Sequence, residues 1–395
     1  MTATLASSAS SVVYDYVVGN ATILDNVTLL SAVNCTRVPL TLDTYKIYKI
    51  VIDVFLVGFL CIVGFIGNAL SIAVLNRDSD RNNTTNWLLR TLAVVDTMYL
   101  IASVFIQTIK TLHNHTDWVP ELQNLFVYME PYVWAFASIV QTTTVWTVML
   151  VTIDRYVAVC KPFQVQLRSL ERAKMAFLGI VVTAVLYNIP RFFERQIRLV
   201  ADPCGGDMVK TEKTALGASW IYFLVYKTIL YFVFRAFGPL LTLIALNTTL
   251  MRALHAVRKR REKLTRNNQN RENMTLVLVI VVSVFFVCQI PDLTLRIIMT
   301  FVNLGVLHVE VTVLRYVNAV TNMLLTINSS TNFLVYCLIG KKFRKILGAM
   351  CCPCPGMGAG AADTRFQMET KEQDAKTVRL IEQTNGKAGT QQVHV

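Results

Sequence analysis

Residues 131–163 read PYVWAFASIVQTTTVWTVMLVTIDRYVAVCKPF. This segment carries no charged side chain until Asp154, Arg155 and Tyr156 follow one another directly. About 20 apolar residues are enough for a helix to cross the hydrocarbon core of a bilayer. The pattern therefore predicts a membrane-spanning helix whose far end carries the polar triplet at one surface of the membrane.

The same apolar pattern recurs along the whole chain. Of its 395 residues, 54% are hydrophobic and 16% are charged, whereas about 25% charged residues are usual in soluble domains. Backbone polar groups inside lipid need partners within their own segment, so the spans are predicted to be helices. The sequence thus predicts an all-α membrane protein, a seven-transmembrane helix bundle. The predicted spans are 48–75, 86–112, 126–160, 173–193, 217–250, 274–302 and 310–338.

The basic residues indicate how the bundle is oriented. The formal net charge is +13, and Lys and Arg concentrate in the connections after spans 1, 3, 5 and 7. Positive charge beside the ends of spans marks the cytoplasmic side. We therefore expect a multi-pass protein of the plasma membrane with an extracellular N-terminus and a cytoplasmic C-terminus. The basic run 258–266 lies between two spans, so we expect the lipid bilayer, and no nucleic acid, as its surroundings.

This topology divides the chain into four regions. Residues 1–46 are predicted to form an extracellular glycosylated tail, and residues 47–340 form the bundle. Residues 341–350 combine apolar and basic side chains at helical spacing, which is typical of a short amphipathic eighth helix at the membrane interface. Residues 351–395 contain too few apolar side chains to pack, so we expect a disordered cytoplasmic tail.

Sequons and cysteines predict covalent modifications. The glycosylation candidates on the predicted outer side are Asn20, Asn26, Asn34 and Asn114. The cysteines predicted to lie outside are Cys35 and Cys204, which either form one disulfide or stay as two free thiols. Three cysteines after the predicted eighth helix are either palmitoylated or unmodified. They are Cys351, Cys352 and Cys354.

Polar side chains also occur inside the predicted spans. Asn68 lies in span 1, Asp96 in span 2, and Asn328 with Asn332 in span 7. Because polar and ionisable groups are costly in lipid, we expect these side chains to face the interior of the bundle. Asp96 then serves either an ion or water site, or a hydrogen bond between helices.

The order of these landmarks resembles a known family. They are Asn68, Asp96, the triplet Asp154–Tyr156, Pro239, Cys288 with Pro291, and Asn332 with Tyr336. Together they resemble a rhodopsin-like (class A) G-protein-coupled receptor. The segment quoted above, with GPLLTLIALNTTLMRAL (238–254) and NSSTNFLVYCLIGKKFRK (328–345), looks similar to invertebrate receptors for FMRFamide-type neuropeptides. The resemblance covers about residues 50–348.

The resemblance implies a switch that connects to a heterotrimeric G protein. Arg155 would pair with Asp154 at rest, and on activation would turn to meet the C-terminal helix of a Gα subunit. The implied switch residues are Asp154, Arg155, Tyr156, Pro291, Asn332 and Tyr336. The implied polar cluster, which holds an allosteric sodium ion in such receptors, comprises Asn68, Asp96, Thr144, Asn328 and Asn332. Arrestin and a receptor kinase are implied as further partners, and no other cofactor or metal is expected.

The sequence departs from the family pattern at several places, among them Asn247, where a tyrosine is common in span 5, and span 4, which has no tryptophan. Gln289 stands where a tryptophan is usual in span 6, and Phe333 replaces the usual proline of span 7. The kink that this proline normally gives is therefore in doubt. Glu130 occupies the start of span 3, where a cysteine is usual.

The polar and aromatic residues in the outer halves of the spans predict a pocket for a peptide. They are Glu130, Tyr132, Trp134, Gln141, Lys227, Tyr231, Arg235, Asp292, Arg296 and Glu310. Glu130 and Asp292 are candidates to receive an arginine of the peptide through charge-assisted contacts. Alternatively these charges pair across the bundle, for example Arg235 with Asp292. With Lys110 and Arg315 of the same outer halves counted as well, five cations stand against three acids, so an acidic group on the ligand is also open.

We therefore predict a receptor for an extracellular neuropeptide, with an FMRFamide-like peptide favoured. The alternative is a receptor for a small molecule or lipid, although the charged pocket argues against an apolar ligand. A more remote alternative is a secondary transporter, which would carry paired repeats and interrupted helices. We expect no enzymatic activity, because the sequence contains no catalytic cluster.

Overall fold

The computed structural model describes residues 44–78, 83–115, 123–161, 169–201, 207–261 and 269–351. Within these ranges, six helices have the length and apolar composition to cross a membrane. A seventh helical segment, split in two, completes the bundle. The predicted all-α membrane fold is confirmed.

The helices follow the predicted spans with shifts of a few residues at their ends. Their bounds are α1 Thr44–Arg77, α2 Thr84–Leu112, α3 Leu125–Cys160, α4 Leu170–Phe192, α5 Tyr222–Ala253, α6 Gln269–Asn303, α7 Val311–Ser330, α8 Asn332–Ile339 and α9 Lys341–Cys351. Helical structure continues to His115 beyond α2 and to Arg261 beyond α5, and begins at Gln123 before α3.

Four stretches near one end of the bundle are π-helical. They are Ile50–Leu56 in α1, Val104–Ile109 in α2, and Tyr222–Leu230 with Phe232–Phe237 in α5. The wider turn redirects side chains and frees backbone groups, which is why such stretches are frequent at functional sites. The hydroxyl of Thr108 donates to the backbone oxygen of Asp53 at 2.7 Å and so ties α1 to α2.

A β-hairpin joins α4 to α5 at the same end. Strands β1 (Arg195–Ala201) and β2 (Asp207–Lys213) are antiparallel, with Arg195 opposite Lys213. A single helical turn, Ala215–Ala218, follows and is capped by the side chain of Thr214. The sequence reasoning did not predict these strands.

The seventh segment is interrupted at Thr331, where α7 ends and α8 begins. The sequence predicted one span over 310–338 and left the kink in doubt because Phe333 replaces proline. Ser330 donates its hydroxyl to the backbone oxygen of Ile327 at 3.1 Å, and such local bonds compete with the regular helical ladder. The interruption therefore forms without a proline.

Two glycines of α1 let the seventh segment approach closely. A methyl group at Gly64 would lie 2.9 Å from the Cβ of Ser330, and one at Gly67 would lie 2.8 Å from the Cβ of Phe333. Neither distance is tolerated between carbon atoms without displacement. The large side chain of Phe333 therefore fits because position 67 has none.

Helix α9 packs its apolar face on the opposite end of the bundle. Phe343 is buried in a cluster with Tyr336, Val74 and Leu88, and its ring lies 5.7 Å from that of Tyr336. Asp78, which follows α1, accepts an ion pair from Lys342 at 2.6 Å. The predicted eighth helix is confirmed, and it rests on α1 and α8.

Candidate functional sites

A cavity of about 250 Å³ opens between the helices at the hairpin end of the bundle. Trp134 of α3 and Gln107 of α2 form part of its wall, and Arg195 of β1 lies at the hairpin side. The π-helical stretches of α1, α2 and α5 also lie at this end. The cavity is large enough for a few side chains of a ligand.

The cavity wall is strongly charged. Seven cationic side chains line it: Lys49, Lys110, Arg191, Arg195, Lys227, Arg296 and Arg315. The acidic side chains of the wall are Glu194 and Asp292. Lys227, Glu194 and Asp292 have side chains no more than 12% exposed, so their charges are felt more strongly than they would be at an exposed surface.

Glu194 is held by cations just beyond the end of α4. It forms an ion pair with Lys227 and accepts from the hydroxyl of Tyr222 at 3.4 Å. Burial raises the pKa of the Glu194 carboxyl, but Lys227 and Arg191 outweigh burial and lower that pKa below its ordinary value. Glu194 is therefore a carboxylate near neutral pH, and its charge is already compensated.

The carboxylate of Asp292 in α6 is also engaged by side chains of the receptor itself. It is 4% exposed, accepts from the hydroxyl of Tyr231 at 2.5 Å, and pairs with Arg296 at 3.1 Å. Arg235, 6% exposed, lies 5.4 Å from the ring of Tyr231. Within the described part of the chain, its Nε and one terminal nitrogen have no hydrogen-bond partner. Asp292 thus pairs with Arg296, one turn along its own helix, in place of the Arg235 pairing considered above.

The predicted pocket residues divide into three groups. Trp134, Lys227, Asp292 and Arg296 line the cavity. Tyr231 and Arg235 line a smaller cavity of about 20 Å³ that also includes Gln289, the residue in place of the usual tryptophan. The remaining four lie elsewhere: Glu130 pairs with Lys110, Gln141 lies partly buried in α3, Tyr132 is 54% exposed on α3, and Glu310 is exposed just before α7.

A buried polar cluster lies deeper between α1, α2 and the seventh segment. Asp96 is 0% exposed, and Asn332 donates its side-chain amide to it at 2.7 Å. Asn68 donates to the backbone oxygen of Ser329 at 3.3 Å. Thr144 and Asn328 are also buried. The structure therefore brings Asp96 and Asn332 together directly.

Several oxygen atoms at this depth lack partners. Among the described residues, the second carboxylate oxygen of Asp96, the amide oxygen of Asn68 and the hydroxyls of Ser71 and Thr144 make no hydrogen bond. Buried oxygens without partners are costly in a protein interior. This set suits water or a hard cation, which takes oxygen ligands.

The polar triplet of α3 lies buried at the opposite end of the bundle. Arg155 donates to one carboxylate oxygen of Asp154 through Nη2 at 2.7 Å and through Nε at 3.2 Å. Thr85 of α2 donates its hydroxyl to the same oxygen at 2.6 Å. Asp154 therefore links Arg155 to α2, and Tyr156 beside it is partly buried.

The other predicted switch residues lie in α6 and α8. Tyr336 of α8 is buried against Phe343 of α9. Pro291 lies inside α6, one turn after the buried Cys288. The bundle therefore contains a charged cavity at one end and a closed Asp154–Arg155 pair at the other.

Comparison with known proteins decides the family. The profile described as "Serpentine type 7TM GPCR chemoreceptor Srw" matches residues 55–354. The chain belongs to this family of G-protein-coupled receptors. The predicted resemblance to class A receptors is confirmed by this match and by the relatives below.

Several curated proteins are similar to the receptor. The FMRFamide receptor of Drosophila melanogaster is 30% identical over 295 residues, which cover 74% of this chain and 52% of that protein. The FMRFamide peptide receptor frpr-18 of Caenorhabditis elegans is 29% identical over 296 residues, covering 72% and 66%. The sex peptide receptor of D. melanogaster is 26% identical over 332 residues, covering 78% and 74%. The match thus spans about half the length of the first of these relatives.

Sequence reasoning missed several residues that line the cavity. Arg191, Glu194 and Arg195 line the cavity but follow the fourth apolar run, where charges usually mark the end of a span. Lys49 also lines the cavity and was missed for a similar reason, because it lies near the start of span 1. One signal in the sequence was Pro190, which directly precedes Arg191. A proline near the end of a helix disturbs the regular backbone there.

Proposed function

We propose that the receptor binds an extracellular neuropeptide in the charged cavity, with an FMRFamide-like peptide favoured. The observation that carries this proposal is the charge-lined cavity at the end of the bundle opposite Asp154 and Arg155. The names of the fruit-fly and nematode relatives, an FMRFamide receptor and an FMRFamide peptide receptor, support the choice of peptide.

The proposed topology puts the hairpin end outside the cell and α9 in the cytosol. Lys and Arg are abundant in the connections at the α9 end, in keeping with the positive-inside bias of membrane proteins. We propose the plasma membrane as the location. Arrestin and a receptor kinase are proposed partners of the same cytoplasmic surface.

Signal transfer is proposed to occur by a shift between two states. A peptide that binds the active state more tightly moves the equilibrium toward it. In that state Arg155 leaves Asp154 and contacts a Gα subunit of a heterotrimeric G protein. Arginine suits this role because it stays charged and offers five N–H donors. Tyr336 and Asn332 of α8, and the helix around Pro291, are the proposed moving parts.

A sodium ion or water is proposed to bind beside Asp96. The unpartnered buried oxygens of Asp96, Asn68, Ser71 and Thr144 fit an oxygen-seeking cation. Asn332 donates to the other oxygen of Asp96 and would hold that carboxylate in place. Asn328 is proposed to complete the cluster. Bound sodium would supply a positive charge that compensates the carboxylate.

Covalent modifications remain proposals. Asn114 is exposed at the rim of the cavity and is a glycosylation candidate. Cys351 is exposed at the end of α9 and is a palmitoylation candidate. The other predicted modification sites lie outside the described residues. They are Asn20, Asn26, Asn34, the Cys35–Cys204 disulfide, Cys352 and Cys354.

The alternative of a lipid ligand is disfavoured by charge. Burying an acyl chain against many cationic side chains would remove their solvation without replacing it. A charged or polar small molecule fits the wall better than a lipid does. The test below therefore includes both classes.

The test is a screen of cells that express the receptor with a promiscuous Gα subunit and a calcium reporter. Amidated neuropeptides, including Phe-Met-Arg-Phe-NH2, are applied beside lipids and small transmitters. We expect a peptide to give the response, and Arg155→Ala to abolish it while surface labelling persists. A response restricted to lipids or transmitters, or full signalling by the Arg155 variant, would contradict the proposal.

A further inference from the structure

The carboxylates at the cavity end are already engaged by cations of the receptor itself. Glu194 pairs with Lys227, and Asp292 pairs with Arg296. A cationic group on a ligand would have to displace one of these internal cations. That exchange gains little, because one buried ion pair is broken for each one formed.

Two further carboxylates lie just behind the wall and are engaged in the same way. Glu130 pairs with Lys110 across α2 and α3. Asp53 pairs with Lys49 and accepts from the hydroxyl of Thr111 at 2.9 Å. Each of these acids holds a lysine that lines the cavity.

Among the residues that the structure describes, positive charge is nevertheless in excess at the cavity. Seven cationic side chains line it there, against two acids of the wall and the two acids behind it. Clefts of one sign attract ligands of the other sign and raise their local concentration. The excess therefore favours an anionic group.

Arg191 at the end of α4 is the best-placed receiver of such a group. Its guanidinium lines the cavity and lies 5.8 Å from the centre of the Tyr226 ring. Its Nε is buried and has no hydrogen-bond partner within the part of the chain that the structure describes. Its neighbourhood contains Glu194, whose charge is shared with Lys227. An incoming carboxylate would give this nitrogen an acceptor.

We infer that the peptide recognised by this receptor carries an anionic group and that Arg191 binds it. The inference rests on the proposed peptide-receptor function and narrows the chemistry of the ligand. The group is a carboxylate, supplied either by an acidic residue within the peptide or by a free C-terminus. Arginine matches a carboxylate because its planar fork donates two parallel N–H bonds.

The test uses five synthetic peptides in the calcium assay. Phe-Met-Arg-Phe-NH2 is the reference, and three extended forms place Asp, Asn or Lys before it. The fifth peptide is the Asn form with a free C-terminal carboxylate. We expect the Asp form to be at least about tenfold more potent than the Asn form, and the Lys form to be the weakest. If the free-acid Asn form shows the gain instead, the C-terminus is the source of the anion.

Receptor variants show whether Arg191 is responsible. Arg191→Gln should remove most of the advantage of the anionic peptide, and Arg191→Lys should retain part of it because the charge stays. The matched control is Arg198→Gln, because Arg198 is an exposed cation on β1 at the same end. Surface labelling confirms that each variant reaches the membrane.

The outcomes are distinguishable. Equal potency of the Asp, Asn and Lys forms, the highest potency for the Lys form, or an unchanged anion advantage in Arg191→Gln overturns this inference and leaves the peptide receptor standing. If Arg191→Gln fails to reach the surface, the inference is judged by two other results. They are the potency order of the peptides at the wild-type receptor and the anion advantage that remains in Arg191→Lys. Silence of every peptide at a well-expressed receptor rejects the proposed function, and this inference with it.

Discussion

The hydroxyl of Thr85 stabilises the closed Asp154–Arg155 pair, and removing it should raise signalling without ligand. Thr85 is 1% exposed and donates at 2.6 Å to the carboxylate oxygen that also accepts from Arg155. Thr85→Val keeps the shape of the side chain but removes the donor. A hydrogen bond to a charged group contributes about 1.5–3 kcal/mol.

The size of the effect follows from that energy. We expect the bond from α2 to be made in the closed arrangement and broken when Arg155 turns away. Its loss then destabilises the closed state alone, and a loss of about 1.4 kcal/mol changes an equilibrium tenfold. If about 1% of receptors are active at rest, roughly 10% should be active in the variant.

The assay is ligand-free nucleotide exchange on G protein, normalised to receptor number at the surface. Thr91→Val is the matched control, because Thr91 lies on the same helix and donates only to the backbone oxygen of its own Trp87 at 3.0 Å. We expect the basal activity of the Thr85 variant to exceed that of wild type about tenfold and that of the control to equal it. Equal basal activity in the Thr85 variant and wild type would refute the proposed role of this bond.

Two further predictions concern single contacts. Tyr231→Phe removes one of two donors to the buried Asp292, the hydroxyl at 2.5 Å, and leaves Arg296. The loss should cost about 1.5–3 kcal/mol, measured as a lower melting temperature in detergent; the exposed Tyr128→Phe is the control, and equal melting would contradict the prediction. Asp78→Asn removes the 2.6 Å ion pair with Lys342 and should speed amide hydrogen exchange in α9 but not in α7, since the pair contributes up to about 1 kcal/mol; unchanged exchange in α9 would show that the pair does not hold this helix.

Hydropathy was enough to predict the helices because a lipid environment allows few structures. Each predicted span became a helix with ends shifted by a few residues. The interruption at Thr331 was not predicted, because the expected cause, a proline, is absent and Phe333 stands in its place. The glycines of α1 act through contacts with the seventh segment, which no single-segment pattern contains.

The contacts of the candidate sites could be predicted where the interacting residues lie in the same segment of the sequence. Asp154 and Arg155 are adjacent, so their pairing follows from the triplet, but Thr85 comes from another helix and carries no local signal. The cavity charges were harder to assign, since Arg191 and Glu194 look like the ordinary polar end of a span. Their position in the cavity wall becomes visible only with the hairpin, whose Arg195 lines the same cavity.

The contact between Gly67 and Phe333 constrains how this interface can diverge over generations. A methyl group added at 67 would lie 2.8 Å from the Cβ of Phe333, so a lineage gaining bulk there passes through a poorly assembled ancestor. Trimming the ring at 333 beforehand does not remove this obstacle, because every residue except glycine keeps that Cβ. Bulk can therefore appear at 67 only if position 333 has become glycine or the two helices have moved apart.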